Sequence, residues 1–261
     1  FLGELLAWMV DEASSRGFEL QLTAPPADDD PTSAYERLIR QKRVDGFVVL
    51  RTALDDERVA YLVEHSFPFV TFGRIPGLTG FRTVDEIDES LEPAVDLLVD
   101  LGHRHIACIA EPRGHSKSTY RRRSFLRAME ELGLAVDSDD VIEAGFHEDS
   151  GYAAAKYLLD RDRPPTAVIA LNDLLAIGVL RATAERGIKV PGDLSVVGFD
   201  DIDAARRVTP PLTTLCQPIE EVGRLLVRQV LAAIDGDGET EEQVLITPTL
   251  IVRGSTGPLE G

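Results

Sequence analysis

Three times in this chain a helix-forming stretch ends on a glycine that is followed at once by an apolar residue opening an extended run. The three are Arg16-Gly17-Phe18, Leu132-Gly133-Leu134 and Arg186-Gly187-Ile188, and Leu101-Gly102-His103 carries the same glycine but continues with histidine. Glycine enters the left-handed conformation that closes a helix without steric cost, and the residue after it turns into the core. Repeated along a chain, this joint is the helix-to-strand handover of an α/β protein.

The pattern between the joints agrees. Leu2, Leu5, Leu6, Met9 and Ala13 share one helical stripe, and Phe18, Leu20 and Leu22 then alternate with polar residues at strand period. Residues 25–31 read as a polar loop, with Asp30-Pro31 as a helix start, aspartate capping and proline at the first helical position. Continuous apolar strands are expected at 44–50, 68–72, 105–110, 166–171 and 194–199. Extended runs are expected at 212–216 and 244–252. Helices are expected around Val59–Val63, over 91–101, 119–132, 150–161, 172–186 and 218–234. Apolar strands separated by helices imply parallel sheets covered on both faces, wound with right-handed crossovers, with ligands at the carboxyl ends of the strands. With 261 residues, two such lobes are expected. A doubly wound lobe normally opens on a strand, whereas this chain opens on a helix, so residues ahead of Phe1 are expected in the full protein.

Composition excludes several classes. A formal charge of −18 repels phosphate backbones, so this piece alone is not expected to hold nucleic acid. No apolar run has the length of a membrane span, and no membrane partner is expected. The two cysteines, Cys108 and Cys216, sit in apolar strand-like runs and read as buried free thiols of a reducing, cytoplasmic setting. Dinucleotide and mononucleotide phosphate loops, nucleophile elbows and zinc-protease signatures are all missing, so no catalysis and no cofactor are expected. His103 and His105 lack further ligands at metal spacing, and Gly73, Gly77 and Gly80 read as turn glycines.

The runs "AVDLLVDLGHRHIACIA", "PPTAVIALNDLLAIGVLRATAERGIKVPGDLSVVGFDD" and "TPPLTTLCQPIEEVGRLLVRQVLAAIDG", closing in "LIVRGST", resemble the lactose/galactose repressor family of bacterial regulators. "VDGFVVL" and "PFVTFGR" fit the same family, so the resemblance covers almost the whole chain. It implies two doubly wound parallel-sheet lobes joined by three crossovers, like type I periplasmic binding proteins. By that likeness the lobes are 1–110 with 219–243, and 111–218 with 244–261. The family's N-terminal helix-turn-helix domain is not in this sequence, and operator DNA is expected to be reached only through it.

The resemblance also nominates residues. Arg121 matches the family's ligand-clamping arginine, although Ser124 stands where the family has glycine. A guanidinium fork can hold two hydroxyls or a carboxylate. Asn172 is an N-cap at a strand end and also reaches ligand in the family. Asp200 ends the strand "LSVVGF", where a carboxylate accepts from sugar hydroxyls. Phe146 matches a stacking aromatic, and Phe1 and Leu2 match the apolar residues at the mouth of the first helix. Arg74 fits the first lobe's rim, and His115 and Lys117 fit the second lobe's face. Arg74, His115, Lys117 and Arg121 together would form a cationic patch suited to an anionic ligand such as a sugar phosphate or sugar acid. The implied function is the effector-sensing part of a dimeric transcriptional repressor, binding a sugar or sugar derivative between its lobes. A transporter's solute-binding protein is the rival with the same fold, and an enzyme on a doubly wound fold is the second.

Overall fold

In the computed structural model, residues 1–24, 30–236 and 242–259 are described. The chain divides into two units. One comprises Phe1–Glu86, Gly114–Lys117 and Pro218–Ile246, and the other Ile87–Arg113, Ser118–Gln217 and Thr247–Gly261.

The glycine joints form as the residue pattern predicts. Gly17, Gly133 and Gly187 have φ of +80°, +69° and +69°. The amides of Phe18, Leu134 and Ile188 each donate back to the carbonyl five residues earlier, on Ala13, Met129 and Thr183. His103 makes the same bond to Leu98 behind Gly102. These bonds satisfy carbonyls that a helix end leaves open.

Among the described residues, the first unit is built on a four-stranded parallel sheet. Its elements are α1 (Leu2–Ser15), α2 (Ser33–Arg40), β1 (Phe47–Val49), α3 (Glu57–Glu64), β2 (Phe69–Phe72) and β3 (Arg82–Glu86), then α8 (Ile219–Asp235) and β9 (Gln243–Ile246) after the second unit. The order is β1-β2-β3-β9. Alternate strand residues face opposite layers, as the two-residue period requires. Val70, Phe72 and Val84 pack on α1 and α8, while Phe47, Val49 and Phe69 pack on α2 and α3. Glu12 of α1 is buried between the helices and takes Arg224 at 3.1 Å and Arg228 at 2.9 Å from α8.

The second unit carries α4 (Glu92–Asp100), β4 (Ile106–Ala110), α5 (Ser116–Glu131), β5 (Val141–Glu143), α6 (Glu148–Leu159), β6 (Ala167–Ala170), α7 (Asp173–Arg186), β7 (Ser195–Asp200), β8 (Thr213–Cys216) and β10 (Thr249–Ile251). The sheet order is β10-β8-β7-β6-β4-β5, with β10 antiparallel to β8. Cys108, Ile169, Val197 and Phe199 face α4 and α5, and Ala107, Ile109, Val168 and Val196 face α6 and α7. α6 and α7 meet at Gly151 and Gly178, where an added Cβ would fall on the opposing backbone.

Several expectations are corrected. The first boundary moves from 110 to 86, because β4 is hydrogen bonded into the second sheet between β5 and β6. A continuous apolar strand fits either sheet, so its pattern does not choose one. The run at 244–252 is two strands in two sheets, split around Pro248, and the last boundary falls at 246 rather than 243. Residues 18–24 join no ladder among the described residues. α2 starts at Ser33, and Asp30 instead binds the Thr32 amide and hydroxyl at 2.7 Å in a turn. Of the loop expected at 25–31, residues 25–29 lie outside the described residues. Strands β3 and β5 were not expected. Cys108 is buried, its thiol pushed up to about 12 by burial, while Cys216 is only half-buried.

Candidate functional site

The carboxyl ends of four neighbouring strands in the second unit, β4, β6, β7 and β8, converge on one group of polar side chains. β4 and β6 are buried apolar runs, β7 is apolar from Val196 up to its last residue and β8 is half polar, and each leads into a polar residue. Glu111 follows β4, Asn172 follows β6, Asp200 ends β7 and Gln217 follows β8. Strand ends at the carboxyl edge of a parallel sheet are where such folds bind ligands.

Arg121 of α5 reaches into this edge and is buried. Its Nη1 donates to the Leu171 carbonyl at 2.7 Å, and its Nη2 stands 3.5 Å from Asp200 Oδ1. The guanidinium carbon lies over the Phe199 ring, 3.7 Å from its centroid, a cation–π contact that with the strand-end bonds holds the arginine in place. Gln217 Nε2 donates to Asp200 Oδ1 at 2.6 Å, and Gln217 Oε1 is buried without a hydrogen-bond partner among the described residues. An orphaned buried acceptor carries a desolvation cost that a ligand hydroxyl would remove. Asn172 does two jobs. Its Oδ1 caps α7 by accepting from the Leu175 amide, and its Nδ2 donates to Glu111 Oε1, both at 2.8 Å.

Asp200 and Asp201 hold φ of +111° and +55°, left-handed backbone for non-glycine residues at the end of a strand. Such conformations cost free energy and concentrate at functional turns. Burial pushes the Asp200 carboxyl up to about 7, opposed by Arg121 and reinforced by Asp173 and Glu111. Asp173 is also raised by burial to about 7. It accepts from the Thr214 hydroxyl at 2.6 Å and the Ile202 amide at 2.8 Å, tying β8 and the loop after β7 to the start of α7. Asp201 is held by Arg253 and Arg206 at 2.6 and 2.8 Å. These two carboxylates are framework, and Asp200 is the one aimed at the strand-end group.

Of the nominated residues, the structure brings Arg121, Asn172 and Asp200 together. Glu111 and Gln217 belong with them and went unread. For Glu111 a signal was present, since it is the first polar residue after the apolar strand β4, whereas Gln217 follows the half-polar β8. Phe146 stands half-buried in the loop ahead of α6.

The first unit assembles a separate group. Arg74 donates from its backbone amide and Nε to Asp85 Oδ2 at 2.9 Å, and from Nη2 to the Glu86 carbonyl at 3.0 Å. Lys117 Nζ sits 2.7 Å from Glu86 Oε1 and 3.6 Å above the Phe72 ring. Phe1 stacks on that same ring with centroids 6.2 Å apart. Leu2 is exposed, and His115 bridges Ala53 through its backbone. The expected cationic patch is therefore corrected. Arg74, Lys117 and Arg121 each face a carboxylate, because β3 supplies Asp85 and Glu86 and β7 supplies Asp200. His103 is a buried structural residue, bonded to Thr166, Ser195 and the Gly257 carbonyl, and His105 pairs with Asp140.

Two interleaved parallel-sheet units with polar strand ends define a protein of the type I periplasmic-binding-protein class. Residues 95–256 match the model of the periplasmic binding protein-like domain. The chain is 34% identical over 264 residues to the HTH-type transcriptional regulator DegA of Bacillus subtilis (strain 168), spanning 99% of this chain and 78% of DegA. It is 31% identical to the HTH-type transcriptional repressor PurR of Erwinia tasmaniensis, spanning 98% and 76%. Among solved structures, a LacI-family regulatory protein from Chloroflexus aggregans superposes with a TM-score of 0.89 at 34% identity, covering 98% of this chain and 92% of that one. The transcriptional regulator CelR in complex with cellobiose gives 0.90 at 30% identity, covering 97% and 78%. A LacI-family regulator from Enterococcus faecium with bound ribose gives 0.84 at 26%, covering 99% and 95%. The chain belongs to the LacI family of transcriptional regulators. Among the described residues, no helix is long and apolar enough to cross a membrane.

Proposed function

We propose that this chain is the effector-sensing part of a cytoplasmic transcriptional repressor, acting as a dimer, and that its effector is a neutral, hydroxyl-rich molecule of the sugar class. The observation that carries the reading is the Arg121–Asp200 pair at the strand ends, 3.5 Å apart, with the arginine fixed on Phe199. One donor fork and one acceptor side by side match the paired hydroxyls of a sugar ring, which both donate and accept. Glu111, Asn172 and Gln217 add further acceptors and donors, and the Phe199 ring sets an apolar wall beneath them. Relatives captured with cellobiose and with ribose support the ligand class. The charge balance favours a neutral ligand, since each arginine and lysine nominated for the site already faces a carboxylate.

The fold alone would equally suit a transporter's solute-binding protein, but the chain's relatives are regulators of transcription. No nucleophile or cofactor motif supports an enzyme. A thermal-shift panel of neutral sugars, sugar phosphates, sugar acids and purine bases tests the reading. A ligand that binds only the folded state at a hundred times its Kd adds about 2.7 kcal/mol of stability. That corresponds to a rise of roughly 5–10 °C for a chain of this size. A neutral sugar is expected to produce such a rise. A rise confined to sugar phosphates or sugar acids would overturn the neutral-ligand reading, and one confined to purine bases would overturn the sugar class.

A further inference from the structure

The residue that follows β4, at the carboxyl edge of the second unit's sheet, is a glutamate, and it is buried. A buried carboxylate weakens a fold unless donors match it. Glu111 is held on both sides. Its backbone carbonyl accepts from the buried Ser118 hydroxyl of α5 at 2.7 Å. Its Oε1 accepts from Asn172 Nδ2 at 2.8 Å. Asn172 Oδ1 is committed to the Leu175 amide at the start of α7, so the Asn172 amide has one orientation that serves both partners. A neutral amide oxygen in place of Glu111 Oε1 would accept from Asn172 as well. The bond to Asn172 therefore explains the acceptor and leaves the charge unexplained.

That charge bears on the rest of the strand-end group. Burial raises the Asp200 carboxyl, Arg121 opposes the rise, and Asp173 and Glu111 reinforce it. Facing Arg121 are thus the carboxyl groups of both Asp200 and Glu111. Beside them lies Gln217 Oε1, a buried acceptor without a hydrogen-bond partner among the described residues. Acceptors and negative charge outweigh what one guanidinium fork supplies. A hydroxyl donates and relieves that excess. A carboxylate or phosphate accepts only, and adds like charge where burial leaves repulsion poorly screened.

We propose that Glu111 is a specificity-determining residue of the effector site, whose charge rejects ligands that carry a carboxylate or phosphate at the strand ends. This rests on the sugar-sensing reading and deepens it, by giving one residue the choice between a sugar and its acid. The test is Glu111→Gln, which keeps the shape and the acceptor for Asn172 and removes the charge. The probes are the neutral sugar that gives the largest thermal shift and the uronic acid of that sugar, each titrated calorimetrically into both chains. The variant is expected to bind the uronic acid about tenfold more tightly and the neutral sugar no more tightly than before, since a like charge within a partly buried site is worth about that factor. Equal changes in the two affinities, or none, would overturn the proposal and leave the sugar reading standing. A second measurement needs no ligand. By carbon-13 NMR, the Asp200 carboxyl is expected to titrate at lower pH in Glu111→Gln than in the unaltered chain, because a neighbouring negative charge is gone. An unmoved Asp200 titration would also overturn the proposal. A panel in which no neutral sugar raises the melting temperature would overturn the sugar reading itself, and the proposal with it.

Discussion

Gly178→Val is expected to leave the protein unfolded at 37 °C, and Gly151→Ala to lower its melting temperature by on the order of 10 °C. At Gly178 a new Cβ would lie on the Glu148 carbonyl oxygen and 2.5 Å from the Tyr152 nitrogen. At Gly151 it would lie on the Leu175 carbonyl oxygen and 2.6 Å from the Leu175 Cα. These neighbours are backbone, so no side chain can swing aside, and the two helices must separate. Overpacking a tight core costs about 1–3 kcal/mol even where side chains can adjust. Here separation also opens voids across the layer formed by Ala154, Ala155, Leu158, Val179 and Ala182. Gly3→Ala is the control. Nothing lies within 4 Å of its Cβ position and it sits in α1, so it should stabilise by roughly 0.5–1 kcal/mol. Thermal melts of the three variants check the contrast.

The second large effect is a fall in stability as pH rises. Asp173 and Asp200 are both raised to about 7, chiefly by burial, from an ordinary value of 3.8. Below about 4 each carboxyl is protonated whether the chain is folded or not. Between about 4 and 7 the unfolded chain has lost these protons and the folded chain keeps them, so stability drops with rising pH. Both groups, held neutral chiefly by burial, add to the decline in the same direction across this window. Above 7 the loss is complete. Denaturant unfolding from pH 4 to 8 should show this decline, and Asp173→Asn and Asp200→Asn should each remove about half of the slope that the pair imposes. An unchanged slope in both variants would refute the assignment.

The parts of this fold that were legible in the sequence are those determined by a few adjacent residues. The joints at Gly17, Gly133 and Gly187 could be read because a left-handed glycine and one following apolar residue suffice to end a helix. β3 could not be read. Only Val84 among its five residues is apolar, yet all five are buried. Arg82 is accommodated by Gln229, 147 residues away, and Asp85 by Arg74 and Lys117. A polar strand whose partners lie on other elements has no period to find. The same blind spot produced the false cationic patch, since the cations were visible as a group and their counter-charges sat in the unread strand. In the second unit, Arg121, Asn172 and Asp200 were legible from resemblance and strand-end position. Glu111 carried the same strand-end signal after β4, while its tie to Asn172, 61 residues away, left no local pattern to add to it.

Arg121 and Asp200 are expected to hold the effector together. The sugar that gives the largest thermal shift, titrated calorimetrically into the unaltered chain and into Arg121→Ala, tests this directly. Loss of two charge-assisted hydrogen bonds at about 1.5–3 kcal/mol each corresponds to a drop in affinity of more than 100-fold. With the variant still folded by circular dichroism, the account predicts that loss, and Asp200→Ala should show one of similar size. An Arg121→Ala chain that binds the sugar as tightly as the unaltered one would contradict it.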